Sequence, residues 1–206
     1  MIRRIFAGMA FAFVCLVAGQ TTAADLSLED RAATARVEKY LNDISTLKAD
    51  FVQISPDGTT ASGKFYLERP GRLRFTYNPP EENFVVADGL FIYFWDSKLR
   101  QQTNSPIGAT LADFILRKKI KLSDDVTVTK VEKANNALKV TLVQTKDPGM
   151  GGLTFTFAEK PFVLVSWTVL DASGQTTTVA LSDVQTGLEL DPDLFYFRAP
   201  EGADKK

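Results

Sequence analysis

Between Arg72 and Tyr77 apolar and polar side chains alternate, with Leu73, Phe75 and Tyr77 on one face and Arg72, Arg74 and Thr76 on the other. That two-residue period belongs to a strand with one wet and one buried face. It recurs near Leu47 to Ile54, Thr59 to Glu68, Asn83 to Ala87, Leu90 to Asp96 and Leu99 to Thr103. Ser55-Pro56-Asp57-Gly58, Pro70-Gly71, Pro79-Pro80 and Asp88-Gly89 punctuate these runs, and Asp-Gly between β-rich segments is a strong hairpin signal. A second series covers Asp125 to Lys133, Ala137 to Gln144, Gly152 to Phe157, Phe162 to Asp171 and Gln175 to Thr186, with a last short strand at Phe195 to Phe197.

Two segments follow a helical period instead. Ser27 is placed to cap a helix with Glu29 and Asp30 in its first turn, and Leu28, Ala32, Ala35, Val37 and Leu41 carry its apolar positions to about Asp43. Between the two strand series, Thr110 starts a short helix through Leu111, Phe114, Ile115 and Leu116 that closes on Arg117, Lys118 and Lys119. Cations suit a helix C-terminus. The fold class is therefore mainly β, with about eleven strands on the spacing of a barrel or large curved sheet. Two helices cannot cover both faces of such a sheet, so a half-closed barrel plugged by helices is the economical architecture.

Residues 1–24 read as a secretory signal: Arg3 and Arg4 precede an apolar core from Ile5 to Ala18, and Thr22-Ala23-Ala24 is a small-residue cleavage site. The apolar run is shorter than the ~20 residues that span a bilayer. Cleavage after about Ala24 leaves one domain over residues 25–206 in an exported protein. Cys15, the single cysteine, goes with the signal, and the chain has no histidine. Histidine-based hydrolases and nearly all zinc sites are thereby excluded. Removing Arg3 and Arg4 from the 24 basic residues leaves 22 against 25 acidic ones, a balance that does not attract nucleic acid.

Candidate chemistry is sparse. Glu81-Glu82, Asp88 and Asp96 could pair as hydrolase carboxylates, but turn chemistry explains Asp88 and Asp96 more simply. Asp124-Asp125 and Asp191 with Asp193 lack the glycine and ligand spacing of a calcium loop, and Gly149-Met150-Gly151-Gly152 lacks the lysine and helix of a phosphate loop. Neither metal nor cofactor is expected. The basic run Arg117, Lys118, Lys119 and Lys121 reads as helix-end charge compensation before it reads as a lipid or partner contact.

Arg69-Pro70, Leu73, Phe75, Pro80, Val85-Val86-Ala87-Asp88-Gly89, Tyr93, Trp95-Asp96, Leu99 and Gln101 stand in an order and spacing that resembles the outer-membrane lipoprotein carrier family. Phe51, Gln53, Asp171, Gly174-Gln175, Phe195, Phe197 and Pro200 extend the likeness over most of the mature chain. The resemblance implies an unclosed antiparallel β-barrel with helices over an apolar cavity. It implies a non-enzymatic, monomeric periplasmic carrier of triacylated lipoproteins, with an inner-membrane ABC exporter and either an outer-membrane receptor or the membrane itself as partners. A binder or sensor of another lipid, or of mislocalised lipoprotein, is the alternative on the same fold.

In that family an arginine at the position of Arg69 holds backbone carbonyls of a lid helix, so Arg69 is the expected latch and Thr110 to Leu116 the lid. A strand-end residue before a turn is the plainer reading of Arg69. Leu73, Phe75, Phe91, Tyr93, Leu111, Phe114 and Ile115 are the expected cavity lining, although Phe114, Ile115 and Leu116 read equally as a helix face packed permanently into the core. The family commonly has tryptophan where Phe75 and Tyr93 stand and tyrosine where Trp95 stands, so ring roles there are exchanged.

Overall fold

The computed structural model describes residues 26–200 except Leu111. The signal segment and the expected cavity position at Leu111 lie outside the described residues. The chain runs α1 (Leu28–Asp43), β1 (Thr46–Ile54), β2 (Thr60–Glu68), β3 (Arg72–Tyr77), β4 (Phe84–Asp88), β5 (Phe91–Asp96), β6 (Gln101–Pro106), α2 (Ala112–Leu116), β7 (Val126–Ala134), β8 (Ala137–Gln144), β9 (Gly151–Glu159), β10 (Phe162–Asp171) and β11 (Thr176–Thr186). The eleven strands form one sheet in the order β6-β5-β4-β3-β2-β1-β11-β10-β9-β8-β7, antiparallel throughout.

The two strand series are joined by β1, which pairs with β2 on one side and β11 on the other. The free edges are β6 and β7, and the sheet does not close between them. The chain passes from one free edge to the other through residues 107–125, which carry α2. One helix thus sits at the open seam because chain connectivity puts it there.

Ser27 caps α1 as its residue type requires, its Oγ accepting the Asp30 N–H at 3.1 Å. The buried stripe of α1 differs from the expected one. Ala33, Thr34, Val37 and Leu41 face inward, while Leu28 is 86% exposed and Ala32 and Ala35 face solvent. Alanine is apolar enough to suit either side of a helix, so its spacing marks no face. α2 is shorter than expected, and the basic run begins after its last residue. β6 starts two residues late because Asp96 Oδ1 accepts the Lys98 and Leu99 N–H groups, each at 2.9 Å, and holds that stretch in a turn. Phe195 closes a short 3-10 turn from Pro192, where a last strand was expected.

The concave face of the sheet holds the core. Phe51, Phe65, Leu67 and Leu73 from the first series meet Leu138, Val140, Phe155, Phe157 and Trp167 from the second, with Val37 and Leu41 of α1 and Phe114 and Leu116 of α2 over them. Gly63 of β2 makes room where Phe51 and Tyr77 pack across it with ring centroids 5.2 Å apart. A Cβ at Gly63 would lie 2.0 Å from the Thr76 carbonyl oxygen and 2.9 Å from Phe51 Cε1. Because the nearer atom is backbone of the paired strand, Gly63→Ala is expected to cost at least about 2–3 kcal/mol. Urea unfolding checks this: a midpoint within error of the wild type would show that β2 and β3 part without penalty.

Candidate functional site

Arg69 stands at the end of β2, where its side chain reaches the C-terminal ends of both helices. Its Nε donates to the Ile115 carbonyl of α2 at 2.7 Å, and its Nη1 donates to the Ile44 carbonyl at 3.2 Å and also to the Leu41 carbonyl of α1. The last carbonyls of a helix lack intrahelical partners and carry the negative end of its dipole. One cation therefore serves the ends of two helices that meet over the interior. In the same hairpin the Gly71 N–H donates to the Leu116 carbonyl at 2.8 Å. Gly71 has φ of 85°, and a Cβ there would lie 2.8 Å from the Gly89 Cα, so the turn needs glycine on both counts. Burial pushes the Arg69 pKa down to about 10, which still leaves the guanidinium charged at neutral pH.

Beneath this junction lies a continuous apolar surface. Phe75 is its hub on the first half of the sheet, with ring centroids 4.5 Å from Phe65, 5.1 Å from Phe51 and 6.3 Å from Trp167. On the other half, Phe114 of α2 lies 6.1 Å from Phe155, and Tyr40 of α1 meets Phe157 edge-on at 5.2 Å. Leu73, Phe75, Phe114 and Ile115 are thus brought together in one packed cluster.

Phe91 and Tyr93 are not. Val86 pairs with Tyr93 and Phe84 with Trp95, which puts these side chains on the convex face. There Tyr93 stacks on Phe197 at 5.0 Å, Phe197 lies 5.6 Å from Phe84, and Phe91 lies 6.3 Å from Tyr93. The inward residues of β5 are Ile92 and Phe94, opposite Ala87 and Val85. β5 is apolar on both faces, so periodicity alone could not orient it, and a one-residue error exchanges the faces. Sequence reading also passed over Phe65, Phe155, Phe157 and Trp167 as site residues. Their signal was the same alternation that marked Leu73 and Phe75.

The segment around α2 is tied to β7 as well. Arg117 donates to Asp113 Oδ2 from Nε at 2.8 Å and from Nη2 at 2.5 Å, and its Nη1 lies 2.5 Å from Asp125 Oδ2. A cavity of about 220 Å³ opens at the seam between Phe114, Arg117, Val126, Leu142 and Leu153.

A family model described as outer membrane lipoprotein carrier protein LolA matches residues 42–198. The chain belongs to the LolA family. An outer-membrane lipoprotein carrier protein of Methylibium petroleiphilum is 30% identical over 209 residues, covering 94% of each chain. One from Methylococcus capsulatus is 29% identical over 178 residues, covering 82% of this chain and 85% of its own. Among solved structures, an uncharacterized conserved protein from Thermus thermophilus superposes with a TM-score of 0.50 at 14% identity, covering 85% of this chain and 96% of its own. That likeness concerns the fold alone.

In this LolA-family chain Asp88, Asp96, Asp124 and Asp191 are engaged in turns and an ion pair. Asp88 Oδ1 accepts the Leu90 and Phe91 N–H groups, each at 2.9 Å, and Asp96 closes the next hairpin at the far end of β5. Asp124 pairs with Lys121, and Asp191 Oδ1 accepts the Asp193 N–H. Partial burial raises the Asp88 pKa, but the Phe91 and Leu90 amides and the Tyr93 hydroxyl outweigh it and bring it below the usual value of 3.8. A carboxylate with a depressed folded pKa stabilises fully above its unfolded pKa and loses that contribution as pH falls through the folded one. Exchange protection at the Leu90 and Phe91 amides is therefore expected to hold down to about pH 4 and to fall below it. Protection that is flat from pH 5 to pH 2 would remove this role for Asp88.

Proposed function

We propose that the chain is a non-enzymatic periplasmic carrier that shields the acyl chains of lipoproteins and moves them from the inner to the outer membrane. The observation that carries this reading is the single cation of Arg69 joining both helix ends over a continuous apolar interior. Each buried methylene is worth ~0.8 kcal/mol, so one long acyl chain represents roughly 10 kcal/mol and does not cross water unshielded. A charge-assisted hydrogen bond contributes ~1.5–3 kcal/mol, so cargo burial is large enough to displace the latch. Pockets for small ligands run from ~300 to 1,000 Å³, and the seam cavity of about 220 Å³ falls below that range. Loading therefore requires α2 to move away from Phe155.

In this reading Arg69 is the latch, and Leu73, Phe75, Phe114 and Ile115, with Leu111 by its family position, contact the acyl chains. Phe91 and Tyr93 do not. An inner-membrane ABC exporter loads the triacylated cargo, and an outer-membrane receptor or the membrane itself accepts it. Native mass spectrometry of the periplasmic protein from spheroplasts making lipoproteins tests the reading. The expected species is a one-to-one complex on a mature chain beginning at Asp25, lost in detergent. A bound phospholipid would replace the cargo class and keep the lipid-binding interior, whereas a bare protein mass without release activity would overturn the carrier reading.

A further inference from the structure

α2 is fastened unequally to the two halves of the sheet. Toward the first half its backbone is held directly: Arg69 Nε donates to the Ile115 carbonyl at 2.7 Å, and the Gly71 N–H donates to the Leu116 carbonyl at 2.8 Å. Toward the second half the polar tie is one side chain. Arg117 follows the last residue of α2, and its Nη1 lies 2.5 Å from Asp125 Oδ2. Asp125 is anchored in turn, because its carbonyl accepts the Thr145 N–H at 2.9 Å just before β7 begins. The same guanidinium donates to Asp113 Oδ2 of α2 from Nε at 2.8 Å and from Nη2 at 2.5 Å. Apolar packing, with Phe114 against Phe155, accompanies this ion triad.

The chain between Arg117 and Asp125 is held by α1. Asn42 Nδ2 donates to the Ile120 carbonyl at 2.8 Å and its Oδ1 accepts the Ile120 N–H at 2.9 Å, while Glu38 Oε2 accepts the Leu122 N–H at 2.8 Å. Ile120 and Leu122 are buried there. α2 can therefore lift while residues 120–122 stay in place, provided that Arg117 releases Asp125. Space already exists on that side. The seam cavity of about 220 Å³ is lined by Phe114, Val126, Leu142 and Leu153, and the three members of the ion triad share its wall.

We propose that the Arg117–Asp125 ion pair decides where the interior opens: α2 lifts on the β7 side, and acyl chains enter between α2 and strands β7 to β9. This rests on the carrier reading, in which Arg69 sets how firmly α2 is held down and Arg117 sets which side parts. The side chains of Arg117, Asp113 and Asp125 are 29%, 31% and 50% exposed. An ion pair that wet is weakened by dissolved salt, whereas a hydrogen bond to a neutral carbonyl has no second charge to screen. Partial burial disfavours the Arg117 charge, but its bonds to the two carboxylates outweigh that and raise its pKa. Opening on the β7 side is thus the salt-sensitive step.

Two measurements on the full mature protein, stripped of lipid, test this. Hydrogen exchange at the α2 amides is expected to accelerate about threefold to fivefold between about 0.02 M and about 0.5 M sodium chloride. Asp125→Asn should show the faster rate already at low salt and lose the salt response. In the second measurement Asp113→Cys and Lys146→Cys, which both line the cavity, are joined by a bis-maleimide in a chain whose mature part has no other cysteine. The link should abolish uptake of a synthetic triacylated cysteine lipopeptide that the unlinked double variant binds. Salt-independent exchange in the wild type, a salt response retained in Asp125→Asn, or undiminished uptake by the linked protein overturns the proposal. Failure of both the wild type and the unlinked variant to bind the probe overturns the carrier reading instead.

Discussion

Replacing Arg69 by leucine is expected to speed hydrogen exchange at the α2 amides by about thirtyfold and to impair cargo release. The substitution removes a charge-assisted hydrogen bond to α2 and two to the end of α1, and leaves the Ile115, Leu41 and Ile44 carbonyls without that donor. A net loss of about 2 kcal/mol in closing free energy corresponds to about thirtyfold in the open fraction. Desolvation of the guanidinium, visible in its lowered pKa, already discounts the gross strength of three such bonds. The Gly71 N–H still holds Leu116, so the lid loosens without detaching.

The functional consequence follows from linkage. A bond made only in the closed, empty form opposes cargo retention, and deleting it raises the affinity of the carrier for cargo by the same factor. Loading should therefore persist while transfer to an acceptor slows. Arg69→Lys should fall between the two, because an ammonium has no planar fork with which to reach α1 and α2 together. Exchange and transfer both unchanged in Arg69→Leu would end the latch role and return Arg69 to a strand-end structural residue.

Phe155→Ala is expected to lower folding stability by about 3–5 kcal/mol, the range for truncating a buried phenylalanine. Phe155 is almost completely buried, on β9 between Phe114 of α2 and Phe157. With a urea slope of about 2 kcal/mol/M the midpoint should fall by about 2 M. The cavity would open directly under α2, so α2 exchange should accelerate beyond the global loss. A drop under about 1 kcal/mol would mean that the lid collapses into the space, and would make the interior more compliant than its packing indicates.

How far these elements were legible beforehand depends on the kind of signal each leaves. Strand β3 was readable outright because Leu73, Phe75 and Tyr77 alternate with polar partners. The hairpin at Asp88-Gly89 was readable because the aspartate closes it locally through the Leu90 and Phe91 amides. β5 was readable as a strand and unreadable as to face, since Phe91, Tyr93 and Trp95 are as apolar as Ile92 and Phe94. Its orientation comes from pairing with β4 and from Phe197, more than 100 residues away in sequence, covering the convex side. Arg69 as a latch was suggested by family resemblance, while its hold on α1 as well as α2 had no sequence signal.

The sequence alone determined the eleven strands of the two series, the cap at Ser27, the turns and the apolar supply for an interior, because each depends on residues within a few positions of one another. Tertiary structure decided which side of an all-apolar strand faces inward, which stripe of α1 is buried, that α2 lies at the unclosed seam between β6 and β7, and that Arg117 ties it to Asp125. Those outcomes depend on what packs opposite, and in a sheet whose halves are joined through β1 and β11 the opposing residues come from distant parts of the chain.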